Sequence, residues 1–68
     1  MVTLQEMLTD ARLKQAELAR LCGVTREAIS QYRHGKRTPD IRIADQLARA
    51  LGFTLEIQNG EMRFRRAA

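Results

Sequence analysis

Residues 15–33 read QAELARLCGVTREAISQYR, two short helical stretches on either side of one glycine. Leu18, Leu21 and Cys22 fall on one side of the first stretch, and Ala28, Ile29 and Tyr32 on one side of the second. Both sets follow the three-and-four spacing of a helix with a single buried face. Gly23 separates them, and glycine readily takes the left-handed conformation in which helices commonly end. Thr25 follows as an N-cap, its hydroxyl able to accept from a free backbone N–H of the next helix. The spacing predicts helices over about 15–22 and 26–33. Ala19 is small where helices joined so tightly must come close, and Val24 and Ile29 can fill the wedge between them.

Reading outward, Thr3 and Glu6 have the spacing of a capping box, and Leu4, Met7, Leu8 and Ala11 form one apolar stripe, which predicts a helix over about 4–12. Downstream, Gly35 closes the helix that ends at Arg33, and Lys36-Arg37-Thr38-Pro39 is a basic loop broken by proline. Asp40 caps a fourth helix, about 41–51, with Ile41, Ala44, Leu47, Ala48 and Leu51 as its stripe and Gly52 as its stop. The period then changes to two. Phe53, Leu55 and Ile57 alternate with Thr54, Glu56 and Gln58, and Met62 and Phe64 alternate with Arg63 and Arg65. Asn59-Gly60 between them is a strong hairpin signal. With those two residues as the turn, Ile57 faces Met62, Leu55 faces Phe64 and Glu56 faces Arg63. The predicted fold is therefore mainly α with a C-terminal β-hairpin: four short helices, then strands over about 53–58 and 61–66, in one domain spanning 1–68.

The chain has 68 residues, which leaves no room for a second core. Apolar residues make up 44% of it, too many for a disordered basic tail. One cysteine, Cys22, and one histidine, His34, exclude an internal disulfide and leave a metal clip short of ligands. No apolar run is long enough to span a bilayer, and the N-terminus lacks the pattern of a signal peptide, so the expected location is cytoplasmic, with Cys22 reduced. The formal net charge is +4. It is concentrated in residues 20–42, where Arg20, Arg26, Arg33, Lys36, Arg37 and Arg42 stand against only Glu27 and Asp40. Such an excess suits a polyanionic partner. A small domain without a staple often draws stability from a second subunit.

The stretch LKQAELARLCGVTREAISQYRHGKRTPDIRIADQLARALG, residues 13–52, resembles the phage repressor and Cro type of helix-turn-helix family. The resemblance rests on Gln15, Leu18-Ala19, Gly23-Val24, Ile29, Gly35-Lys36, Pro39, Leu47-Ala48 and Leu51-Gly52, all in order. It implies that the helix from Arg26 to Arg33 enters the major groove of double-stranded DNA. Base contacts would then come from Arg26, Glu27, Ser30 and Gln31. Arginine can donate twice to guanine O6 and N7, glutamine can pair with adenine N6 and N7, and glutamate can accept from cytosine N4. Phosphate contacts would come from Lys14, Gln15, Thr25, Arg33, His34, Lys36, Arg37 and Thr38. Lys14 departs from the Ser or Thr common at its position, and it cannot cap the helix that Gln15 opens.

The resemblance ends at Gly52, where many members continue into a fifth helix. Cro-like members use strands there to pair subunits, which makes Phe53, Leu55, Ile57, Met62 and Phe64 the candidate dimer interface. The expected protein is a transcriptional regulator, a repressor acting as a homodimer on a palindromic operator, located at the nucleoid through its DNA. No catalysis, metal or cofactor is expected, since the chain has no phosphate-cradling glycine loop and no ligand cluster. The rival reading is an antitoxin that controls its own operon through the same motif and holds a toxin partner. Only Ala67 and Ala68 follow the arginine cluster, which leaves that expectation little chain for a toxin-binding surface.

Overall fold

The computed structural model describes residues 1–67; Ala68 lies outside the described residues. Four helices, α1 (Leu4–Thr9), α2 (Gln15–Cys22), α3 (Arg26–Arg33) and α4 (Ile41–Ala50), precede strands β1 (Phe53–Gln58) and β2 (Glu61–Arg66). This is the four-helix and hairpin architecture that the sequence predicts. Thr3 and Glu6 form a reciprocal capping box, and Thr25 and Asp40 cap α3 and α4 through their side chains. Each of these bonds satisfies a backbone donor that the first turn of a helix leaves free.

The first helix is shorter than its stripe suggests. It stops at Thr9, with Asp10 as the C-cap, so Ala11 is half-buried beyond the helix. A carboxylate is unfavourable at the negative end of a helix, and aspartate competes for backbone bonds there. Leu51 likewise serves as the C-cap of α4 rather than its last residue.

The hairpin is antiparallel and has the expected register, with Leu55 opposite Phe64, Ile57 opposite Met62 and Glu56 opposite Arg63. Asn59 and Gly60 both have positive φ, 52° and 77°, as a type I′ turn requires. The ion pairs do not follow the register. Glu56 bonds Arg65 at 2.6 Å, two residues along β2 from its register partner, and Arg63 turns to Glu61 at 2.8 Å. The Arg65 guanidinium holds the Glu56 carboxyl below its usual range.

One side of the hairpin packs on the helices, β1 against α4 and β2 against α1. Phe64 is fully buried, at 0% exposure, in a core that includes Met7, Leu18, Ile29 and Leu47. This corrects its assignment to a subunit interface, since its own helices leave none of it for another chain to touch. The strand pattern placed Phe64 on the right face but did not show how deep that face sits. Val2 bridges to Phe64 on the outer side of β2, with Val2 N–H to Phe64 C=O at 2.8 Å and Phe64 N–H to Val2 C=O at 2.9 Å.

Two further positions differ from their sequence reading. Leu21 is 58% exposed, because α2 buries an arc centred between Leu18, Ala19 and Cys22, and Leu21 falls outside it. Ile41 is 62% exposed, because it stands at the N-terminal tip of α4, beyond the core that Ala44, Leu47 and Ala48 reach. Tyr32 is buried, as its place on the apolar stripe of α3 predicts. So is Cys22, where burial pushes the thiol's pKa up.

Phe64→Ala should remove about 3–5 kcal/mol, comparable to the whole stability of a domain this small, and thermal melting followed by far-UV dichroism should show no cooperative transition. Ile57→Asp, at a position 53% exposed, should melt close to the parent. The Glu56–Arg65 pair adds a pH dependence. A carboxylate with a lowered folded pKa stabilises above its unfolded value, and that contribution disappears as pH falls through the folded one. Glu56→Gln should therefore lower the urea midpoint at pH 7, and the difference from the parent should fade as pH falls through the folded pKa.

Candidate nucleic-acid interface

Between α2 and α3 the chain turns within Gly23 and Val24. Gly23 takes φ 68°, a left-handed conformation, and a Cβ there would meet no atom within 4 Å. Its glycine is therefore required by backbone conformation and not by crowding. Val24 N–H reaches Ala19 C=O at 3.0 Å, which draws the start of α3 onto the end of α2. Thr25 Oγ1 then accepts from Ala28 N–H at 3.0 Å and fixes the direction in which α3 leaves the turn.

The helix so placed is strongly two-sided. Ala28, Ile29 and Tyr32 are buried, whereas Arg26 and Glu27 are exposed and Ser30, Gln31 and Arg33 are half-buried. Arg26 and Ser30, like Glu27 and Gln31, are four residues apart and so share a face. Gln15, from the start of α2, joins Thr25, Arg26, Glu27 and Ser30 around one shallow cleft. Lys14 occupies the N-cap position of α2 in an extended conformation and makes no side-chain cap bond. No side chain of Lys14 thus covers the first-turn N–H groups of α2, and such groups attract anions.

The far end of α3 is held by backbone bonds. Gly35 N–H donates to Tyr32 C=O at 3.2 Å and Lys36 N–H to Gln31 C=O at 2.8 Å, a Schellman arrangement centred on Gly35 at φ 73°. His34 Nδ1 donates to Ser30 C=O at 2.8 Å, which turns the ring back against the helix. The loop brings Arg37 beside the helix, where Nη1 donates to Gln31 Oε1 at 3.2 Å and the guanidinium lies 5.7 Å from the centre of the Tyr32 ring. Thr38 is exposed just beyond, before the buried Pro39.

The candidate DNA-contacting residues therefore lie on α3 or at its N-cap, at the start of α2, or in the loop after α3. The candidate dimer residues lie on the hairpin, a separate element. Among the described residues the ion pairs are Arg49–Asp45, Arg63–Glu61 and Arg65–Glu56, so Lys14, Arg26, Arg33, Lys36 and Arg37 belong to none. The cleft is lined by one cation, Arg26, one anion, Glu27, and the neutral polar side chains of Gln15, Thr25 and Ser30. It holds no cluster of His, Cys, Asp or Glu suited to a metal among the described residues. The Gln31–Arg37 bond was not apparent in the sequence. Its only signal is Gly35, which reverses the chain between them.

The family model described as helix-turn-helix matches residues 4–58, from the start of α1 to the end of β1. Searches among curated proteins and among solved structures return no match. The chain belongs to the helix-turn-helix family, of the Xre and Cro type. That family's domain binds DNA, regulates transcription and is not catalytic. No helix among the described residues is long and apolar enough to cross a membrane.

Lys14→Ser tests how the start of α2 is balanced. Position 14 already has the extended backbone of an N-cap, φ −68° and ψ 151°. Serine there should gain a cap bond and stabilise the domain by about 0.5–1 kcal/mol. The same change removes a cation beside the first turn, so affinity for random duplex DNA should fall at low salt while the melting temperature rises.

Proposed function

We propose that this helix-turn-helix protein is a sequence-specific regulator that represses transcription by occupying a palindromic operator as a homodimer. The observation that supports it best is the exposed face of α3, whose polar side chains share one cleft with the uncapped start of α2. In the proposed complex α3 lies in the major groove. Arg26, Glu27, Ser30 and Gln31 meet base edges, and Lys14, Gln15, Thr25, Arg33, His34, Lys36, Arg37 and Thr38 meet the sugar–phosphate backbone. Thr25 Oγ1 is already an acceptor for its own helix, so its hydroxyl proton is what remains for a phosphate. Repression requires only occupancy of the DNA, which excludes polymerase, and this one surface suffices for that.

The dimer is proposed through β1. Both Phe64 backbone groups bond to Val2, on the side of β2 away from β1. Leu55, opposite Phe64, must therefore direct its own N–H and C=O away from β2, as must Phe53 and Ile57 two residues either side. This leaves β1 with a free edge able to pair with its copy about a two-fold axis. Ile57 overhangs that edge exposed, and Phe53, Leu55 and Met62 are only half-buried. Two-fold pairing would present the two α3 helices to half-sites about one helical turn apart.

Selection from random duplex DNA should enrich a palindrome with half-site centres roughly 10 bp apart. With Lys14, Arg33, Lys36 and Arg37 of each protomer on phosphates, about eight neutralised per dimer, log affinity should fall with log salt at a slope near −7. Arg26→Ala should cost about 1–3 kcal/mol per half-site and relax one base pair of the site. Ile57→Asp should sediment as monomer at micromolar concentration and lose cooperative binding. Enrichment of no sequence would overturn the regulator reading, and a wild-type monomer that binds single half-sites would overturn the dimer.

A further inference from the structure

Three contacts hold Arg37 against α3. Its backbone N–H reaches Gln31 C=O at 3.3 Å, its Nη1 donates to Gln31 Oε1 at 3.2 Å, and its guanidinium lies over the Tyr32 ring. Tyr32 is buried, so the ring is a fixed platform. Arg37 makes no ion pair among the described residues. A guanidinium can only donate, so the Gln31 amide must turn its oxygen toward Arg37 and its NH₂ away. The loop residue therefore determines what the helix residue offers.

We propose that Arg37 is a positioning residue for Gln31, and that the pair reads guanine rather than the adenine a free glutamine would favour. This rests on the reading of α3 as the helix that enters the major groove. Pairing with adenine needs the glutamine oxygen to accept from N6 while the nitrogen donates to N7. In this protein that oxygen already accepts from Arg37, and a positive charge stands beside it. Adenine's N6 donors face that charge unfavourably. Guanine presents only acceptors, O6 and N7, to the major groove, and the Gln31 NH₂, turned away from Arg37, can donate to them. Arg37 thus acts on sequence preference through Gln31 and does not merely add a charge near the phosphates.

The test uses the full chain and a pool of double-stranded DNA with a randomised core of roughly 20 bp, enough for two half-sites. The pool is selected in parallel by the wild type, Gln31→Ala, Arg37→Ala, the double variant and Arg26→Ala. Far-UV dichroism establishes that each is folded; both altered side chains of the pair lie at the surface, outside the core. The wild type should enrich guanine at one position per half-site that Gln31→Ala randomises. Arg37→Ala should lose guanine and admit adenine at that same position, with a coupling between the two substitutions of about three- to tenfold in relative affinity. In the Gln31→Ala background, removing Arg37 should weaken all sequences by one common factor.

Two results would overturn the proposal. One is wild-type enrichment of adenine at the Gln31 position. The other is an Arg37→Ala variant that weakens every sequence equally and leaves the preference at that position intact. If Arg26→Ala still changes a different position in either case, the DNA-reading role of α3 stands and only the pairing fails. If the wild type enriches nothing, both fall together.

Discussion

Whatever the exposed side of α3 does depends on the burial of its other side. An eight-residue helix is not stable in water by itself, because nucleation costs more than two turns of hydrogen bonds return. Ile29, at 1% exposure, and Tyr32 anchor this one against α1 and α2. The Gly23 turn and the Thr25 cap orient its start, and the bonds from Gly35 and Lys36 close its end. With both ends and one face fixed, the remaining side chains are displayed in a set geometry. That matters for reading DNA, where a bidentate contact tolerates little displacement.

The anchor for α3 depends in turn on an element that contributes nothing to the candidate DNA-facing surface. β2 lies beyond the region matched by the family, yet its Phe64 is among the largest side chains fully enclosed in the core. A two-stranded hairpin is marginal alone. Here β2 gains β1 on one side and Val2 on the other, and its inner face closes the end of the core between α1 and α4. The two ends of the described chain thus meet on one strand. If the hairpin also carries the proposed subunit contact, it has two separable surfaces. Phe64 faces inward to the fold, while the free edge of β1 and Ile57 face outward.

Local rules made much of this legible in the sequence. The capping residues Thr3, Thr25 and Asp40, the stop at Gly23 and the Asn59-Gly60 turn each act over a few residues, and each does in the structure what its chemistry requires. Helical spacing also divided α3 correctly into a buried and an open side. It was less reliable where depth or phase mattered. Leu21 and Cys22 both fit an apolar stripe on α2, but the arc that meets its neighbours includes only Cys22. Phe64 and Ile57 share one face of the hairpin, and only the position of the helices decides that one is enclosed and the other overhangs. The Val2 bridge and the Gln31–Arg37 bond join residues whose proximity is created by the fold, so no local pattern announces them.

Charge placement follows the same division between the ends and the middle of the chain. The C-terminal arginines are occupied within the chain: Arg63 by Glu61, Arg65 by Glu56, and Arg66 over the Phe53 ring at 4.9 Å. On α4, Arg49 is paired with Asp45. The cations of the central segment have no such carboxylate partners. Exposed pairs contribute little stability, but they do cancel field locally, and at physiological ionic strength a field reaches only about 8 Å beyond its source. Around the start of α2, α3 and the loop after it, Lys14, Arg26, Arg33, Lys36 and Arg37 thus keep charges that no ion pair cancels. Under the proposed reading, a polyanion approaching the domain is drawn first to the face where the candidate base-reading side chains stand, so the arrangement of ion pairs elsewhere helps to orient the encounter.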